Sequence, residues 1–203
     1  MIEKLLESPS LSHEIYCVFI SSTSRQTPLF CQRAAQSQEG FVCWDYHVIV
    51  VAVAVKDNAC SYVLDLDTTL QPFPCPASLY CSRTLRPEMQ LKSEYHRLFR
   101  IVPASVYFDC FSSDRTHMKD SNVVPPPWPC IVGKKAMNEN VIDWYRYIKL
   151  QEAVAPPTHK PSVWLDTASR QGQYGMVLEE FHFLRWITER GGSTAVQLEG
   201  NDN

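Results

Sequence analysis

The stretch Phe41-Val42-Cys43-Trp44-Asp45-Tyr46-His47-Val48-Ile49-Val50-Val51-Ala52-Val53-Ala54-Val55 decides how this sequence is read. It is built almost wholly of β-branched and aromatic residues, which suit a pleated surface better than a helix. Lys56-Asp57-Asn58 then supplies turn residues. Cys60 to Leu66 resumes as a second strand, so the two pieces predict an antiparallel hairpin. The run from Val48 to Val55 is continuously apolar. Such a run predicts a central strand covered on both faces.

On the N-terminal side, Ile15-Tyr16-Cys17-Val18-Phe19-Ile20 reads as a strand closed by Ser21-Ser22-Thr23-Ser24. Pro28-Leu29-Phe30 is a second short extended piece, and residues 2–7 read as the end of a helix. On the C-terminal side a proline-rich loop (Pro72, Pro74, Pro76) follows the hairpin. Phe99 to Tyr107 reads as a short strand pair or a strand and turn. Residues 138–152 read as a helix capped by Asn138 or Asn140. Apolar residues at Leu178, Phe181, Leu184 and Ile187 have helical spacing, and Gly191-Gly192 ends that helix. Few helices around a mostly antiparallel central sheet predict the α+β class. Residues 1–192 are expected to form one domain, and residues 193–203 a flexible tail.

Composition narrows the function. The 203 residues carry a formal charge of -3 with a pI of about 6.1, so no basic face for nucleic acid is implied. The longest apolar run, Val48 to Val55, falls far short of the ~20 residues of a membrane helix. Acidic residues interrupt the opening Met1-Ile2-Glu3-Lys4-Leu5-Leu6-Glu7, which does not read as a signal peptide. The eight cysteines (17, 31, 43, 60, 75, 81, 110 and 130) form no Cys-x-x-Cys pair, which removes the usual zinc spacing. Several sit in apolar segments, Cys17 before Val18 and Cys43 before Trp44 among them. They are expected to be reduced, mostly buried thiols in the cytoplasm, with the nucleus also open. No cofactor, metal, nucleic-acid or membrane partner is expected, and a monomer is the default.

The hairpin places chemistry on one face. With a turn near residue 57, the position opposite His47 falls at about 65 to 68. Directly opposed side chains lie ~4.5–5.5 Å apart at Cβ. Alternate residues share a face, so Asp65 and Asp67 point the same way. A carboxylate there can hold the imidazole of His47, fix its tautomer and stabilise imidazolium, the orienting role in a nucleophile–base–acid triad. A lone histidine on a strand is more often a packed or exposed residue than a catalyst. Asp45 and Asp67 compete with Asp65 as orienters, and Trp44 and Tyr46 read as packing residues on the opposite face.

The segment Asp114-Arg115-Thr116-His117-Met118-Lys119-Asp120, followed by Pro125-Pro126-Pro127-Trp128-Pro129-Cys130, is a polar loop beside polyproline. Such loops often carry function, but a solvated loop with capping bonds from Asp114 explains the pattern as well. A metal site from Asp114, His117 and Asp120 matches no ligand spacing.

Trp44-Asp45-Tyr46-His47-Val48 resembles the signature of the protein N-terminal glutamine amidohydrolase family. Val18-Phe19-Ile20-Ser21, Asp65-Leu66-Asp67-Thr68, Pro72-Phe73-Pro74-Cys75, Phe99-Arg100-Ile101-Val102, the Ser113–Asp120 segment, Pro125–Ile131 and Met137-Asn138 are similar to further family blocks, in the same order. The resemblance covers about residues 15–190. It implies a transglutaminase-like, papain-related α+β fold and a Cys–His–Asp triad, with the histidine at His47 and the aspartate at Asp65. It also implies thiol-dependent deamidation of an unmodified N-terminal glutamine of proteins and peptides to glutamate, with release of ammonia, feeding the N-end rule degradation pathway. The free α-ammonium then needs an acid, for which Asp67, Asp45 and Asp114 are candidates. The family's nucleophile lies in a Cys-Glu-Glu-Asn-Val-type motif ahead of the first helix, and no such motif occurs among the seventeen residues before Val18. Cys17 is the nearest cysteine in order, but it aligns inside an apolar strand. The expectation is therefore that the nucleophile is not found in this chain.

Two rival readings stand beside the amidohydrolase. One is a non-catalytic N-terminal-glutamine-binding domain or an inactive truncated form, with the pocket kept and the nucleophile lost. The other is a plain α+β interaction domain.

Overall fold

A computed structural model describes residues 13–36, 40–55, 59–111, 127, 129, 131–133 and 175–189. The readings at residues 2–7, Lys56-Asp57-Asn58, Asp114–Asp120, 138–152, Gly191-Gly192 and the 193–203 tail lie outside the described residues.

A six-stranded antiparallel sheet carries the fold, in the order β6-β5-β4-β1-β7-β8. Its strands are β1 (His13–Ser22), β4 (His47–Ala54), β5 (Tyr62–Leu64), β6 (Cys75–Pro76), β7 (Arg97–Pro103) and β8 (Met176–Glu179). A separate ribbon pairs β2 (Thr27–Leu29) with β3 (Val42–Trp44). The described helices are α1 (Ala77–Tyr80), continued by a π-helical turn at Cys81–Leu85, a 3-10 turn at Ser93–Tyr95, α2 (Ala104–Cys110) and α3 (Glu180–Glu189). The class is α+β, as the sequence reading expected.

The strand covered on both faces is β1, not β4. Tyr16, Val18 and Ile20 enter the main core with Ile49, Val51, Val53, Phe99 and Phe183, while Cys17 and Phe19 meet Val102, Val106, Tyr107 and Phe111 on the other face. Helix α2 lies on β1 and β7. On that face β4 leaves Val48 exposed and Val50 and Ala52 half-buried, so its continuous apolar run sits on an alternating pattern of burial.

The stretch 41–55 is also not one strand. At Asp45-Tyr46 the chain leaves the ribbon and enters the main sheet. Asp45 Oδ1 accepts the Tyr46 N–H at 2.9 Å, and Ser21 Oγ donates to the Asp45 carbonyl at 3.3 Å, which holds the break in place. Residues 104–107, read as extended, open helix α2 behind Pro103, where proline suits a helix start. Leu178 belongs to β8 and not to the last helix. The buried stripe of α3 is Phe183, Trp186 and Ile187, while Phe181 is exposed, so the helical phase differs from the 178/181/184/187 reading. Phe183 stacks on Phe99 with ring centroids 4.0 Å apart and fixes α3 to the sheet.

Arg97 locks the periphery of this core. Its guanidinium makes a bidentate pair with Glu180 (both contacts 2.7 Å) and donates to the Pro28 and Leu85 carbonyls at 3.1 and 2.6 Å. One buried fork therefore ties β7, α3, β2 and the π-helical turn together.

Candidate active site

His47 opens β4 and Asp65 follows directly after β5. The register Val50↔Leu64, Val51↔Val63 sets Asp65 level with Ile49 and on the face that carries His47, Ile49 and Val51. Asp65 thus lies one residue beyond the strand that was expected to hold it and reaches diagonally to the imidazole. His47 Nε2 and Asp65 Oδ1 are 2.9 Å apart. An ionised carboxylate only accepts, so Nε2 carries the proton and Nδ1 faces away from the pair.

The carboxylate is fully buried and four donors converge on it. Oδ1 takes His47 Nε2 and the Asp67 N–H at 2.9 Å each, and Oδ2 takes the Tyr80 hydroxyl at 2.9 Å and Gln32 Nε2 at 3.2 Å. Burial pushes the carboxyl upward. The bond and charge of His47, with the Asp67 and Gln32 donors, outweigh it and hold Asp65 below the ordinary aspartate value. Burial, then the charge and bond of Asp65, push the Tyr80 phenol well up, so Tyr80 stays a donor.

Trp44 does not point away from the site. It ends β3 two residues before the kink closes into β4, and its ring stacks on His47 with centroids 5.0 Å apart and planes 26° from parallel. Its indole Nε1–H donates to Gln32 Oε1 at 3.1 Å. Gln32 and Tyr80 were not legible as site residues. Gln32 lies in an irregular segment joined to Thr68 by a single bridge, and Tyr80 ends a one-turn helix. Nothing local in either sequence context signals a polar role.

The other candidates fall elsewhere. Asp67 turns from His47: its Oδ2 accepts the Ala34 N–H at 3.1 Å and its carbonyl accepts the Arg33 N–H at 2.6 Å, so it laces the 31–34 segment to the site. Asp45 is exposed, with Oδ2 3.8 Å from Arg25. Asp114 lies outside the described residues. Cys17 pairs with Val50 and packs against Phe19, Val102 and Phe111, on the sheet face opposite His47, and burial pushes its thiol far up. Cys31, Cys43, Cys60, Cys75 and Cys81 are free as well as Cys17. Of these six, Cys43 and Cys60 are exposed and Cys31 is half-buried, so burial of most cysteines does not hold among the described residues. Cys43 is exposed because it points outward from a two-stranded ribbon. Among the described residues no group of three His, Cys, Asp or Glu could hold a metal ion. No helix of the described residues is long and apolar enough to cross a membrane.

Fold and site together define an α+β protein in which a buried carboxylate holds an imidazole at the end of an antiparallel sheet. The family model for N-terminal glutamine amidase matches residues 1–187. The chain belongs to that family. It is similar to protein N-terminal glutamine amidohydrolases of Arabidopsis thaliana (41% identity over 135 residues, 64% of this chain and 61% of the relative), Bos taurus (39% over 132 residues, 63% and 62%) and Danio rerio (38% over 122 residues, 58% of each). The chain spans about three fifths of the length of the curated relatives it matches.

Proposed function

We propose that the protein deamidates the side chain of an N-terminal glutamine, with His47 as general base and acid and Asp65 as its orienter. The 2.9 Å bond between His47 Nε2 and Asp65 Oδ1, in a chain of this family, carries the reading. His47 Nδ1 takes the proton of a cysteine thiol, and the thiolate adds to the amide carbon of the glutamine side chain, whose carbonyl π electrons move to the oxygen. As the tetrahedral adduct collapses, the C–N bond breaks and His47 Nδ1 gives its proton to the departing ammonia. A γ-glutamyl thioester remains. His47 then takes a proton from water, hydroxide adds to the thioester carbon, and the thiolate leaves with glutamate as product. Asp65 keeps the Nε2 proton in place and stabilises each imidazolium that forms.

The thiolate must approach Nδ1 within ~3–4 Å on the face that carries His47. The resemblance implies a nucleophile in a Cys-Glu-Glu-Asn-Val-type motif ahead of β1. The sequence has no cysteine before Cys17, and Cys17 occupies the other face. The remaining parts of the proposal are a transglutaminase- and papain-like plan for one domain over residues 1–192, a monomer in the cytoplasm with the nucleus also open, and an acid among Asp67, Asp45 and Asp114 as the acceptor of the substrate α-ammonium. Its substrates are proteins and peptides with a free N-terminal glutamine, whose deamidated products feed the N-end rule pathway.

The test is ammonia release from a glutamine-initiated peptide, by the 203-residue chain and by the same chain joined behind a segment bearing the family's cysteine motif. The joined form is expected to release ammonia, the unjoined chain none, and His47→Ala to abolish release. Robust release by the unjoined chain that disappears with Cys17→Ala would overturn the assignment of the nucleophile. Peptide binding without release in any form would identify a binding domain.

A further inference from the structure

The bonds around His47 form a closed circuit. His47 donates to Asp65, Gln32 donates to Asp65, Trp44 donates to Gln32, and the Trp44 ring lies on the His47 ring. Each member comes from a different part of the fold: the start of β4, the end of β5, the loop after β2 and the end of β3. Gln32 is the corner that joins the two ways of holding the imidazole, through its edge and through its face.

We infer that Gln32 is a positioning residue that fixes the direction of His47 Nδ1 by holding Asp65 and Trp44 at once. The inference rests on the reading of His47 as the proton carrier and deepens it. Gln32 is 2% exposed, and both ends of its amide are engaged: Nε2 reaches Asp65 Oδ2 and the Phe30 carbonyl at 3.2 Å each, and Oε1 takes the indole N–H. That leaves one orientation of the amide, since a flip would set Oε1 against the carboxylate and Nε2 against the indole N–H. The Asp67 contacts to Arg33 and Ala34 and the Gln32↔Thr68 bridge hold the backbone beneath it. The result is an acceptor for Nε2–H that cannot rotate and a ring face that cannot slide. An imidazole free to turn about χ2 aims Nδ1 over a broad arc. One clamped on edge and face aims it in a single direction, as proton transfer over hydrogen-bond distance requires.

The test is nitrogen–proton NMR of the His47 ring in the 203-residue protein, which reads position and tautomer whether or not the chain turns over substrate. The unsubstituted protein is expected to show a slowly exchanging Nε2–H signal in the Nε2-protonated tautomer. Gln32→Ala should speed exchange of that proton at least tenfold and mix the tautomers. Trp44→Phe, which keeps a ring on His47 but removes the indole donor, should do the same in part. Gln32→Glu keeps the acceptor for Trp44 but turns the donor toward Asp65 into a like charge, and should loosen His47 as Gln32→Ala does. The Gln32→Ala, Trp44→Phe double variant should be no faster than Gln32→Ala alone, because both cut one circuit. Should Gln32→Ala fail to fold, Trp44→Phe and Gln32→Glu decide. Unchanged His47 exchange in the folded variants, or additive effects, would overturn the role of Gln32 alone. Absence of a bonded Nε2–H in the unsubstituted protein would instead overturn the His47–Asp65 pair itself.

Discussion

Asp65→Asn is the most informative single change, because the structure sets its cost atom by atom. The substitution keeps the shape, removes the charge and turns one acceptor oxygen into an NH2 donor. If that NH2 takes the Oδ1 position it faces the Asp67 N–H, a fixed backbone donor at 2.9 Å, and His47 Nε2. The histidine can change tautomer and accept, but Asp67 cannot. If the NH2 takes the Oδ2 position it faces the Tyr80 hydroxyl, which can rotate to accept, and Gln32 Nε2, which cannot unless the amide flips. A flip sets the Gln32 donor against the Trp44 indole N–H. Every arrangement therefore strands at least one buried donor, at about 1–3 kcal/mol. Rate suffers more. Nε2–H loses its anionic acceptor and the imidazolium its partner, so an active form carrying the nucleophile should lose about 10⁴ in kcat, the scale seen when a triad carboxylate becomes an amide. The pH dependence follows from the same carboxylate. Its folded value lies below its unfolded one, so the stability it contributes is complete above the ordinary aspartate range and is lost as pH falls through the depressed folded value. Denaturant unfolding followed by tryptophan fluorescence from pH 7 to pH 2 measures both effects. The variant should be less stable at neutral pH, with a shallower decline on acidification. Equal stability at pH 7 within about 0.5 kcal/mol, with the same acid profile, would refute the claim that this carboxylate is ionised and fully engaged.

Arg97→Ala leaves Glu180 and two carbonyls without their shared donor, and should cost about 3–5 kcal/mol in denaturant unfolding. Arg97→Lys, which cannot reproduce the bidentate fork, should recover only part of that. Gly175 has φ +66°, and a Cβ there would lie 2.2 Å from the Ile101 carbonyl oxygen. Gly175→Ala should therefore part β8 from β7, seen as lost amide protection at Met176 to Leu178, where an unchanged hydrogen-exchange pattern would disprove the contact. In the native protein an alkylating reagent should modify Cys43 and Cys60 first, while Cys17, Cys75 and Cys81 react only on unfolding. Fast labelling of Cys17, read by peptide mass, would contradict its place on the far face of the sheet.

The sequence by itself determined the period-2 strands, the α+β class and the pairing of His47 with an acid near residue 65, because those follow from alternation along a strand and from the length of one hairpin. It also carried the family, through motifs read in order. What it could not determine is set by distance in space. Whether Asp65 or Asp67 faces His47 depends on where β5 ends and the chain turns, and the turn sends the Asp67 carboxylate to Ala34. Which apolar run is covered twice depends on the strand order, and inserting β1 between β4 and β7 gives that place to Tyr16–Ile20. The phase of the last helix depends on how many residues β8 withdraws from it before it starts. Gln32 and Tyr80 reach Asp65 from 33 and 15 residues away along the chain, and Trp44 in turn reaches Gln32 from 12 residues away. A buried carboxylate must collect donors from wherever the packed chain brings them, and no local pattern records which residues those will be.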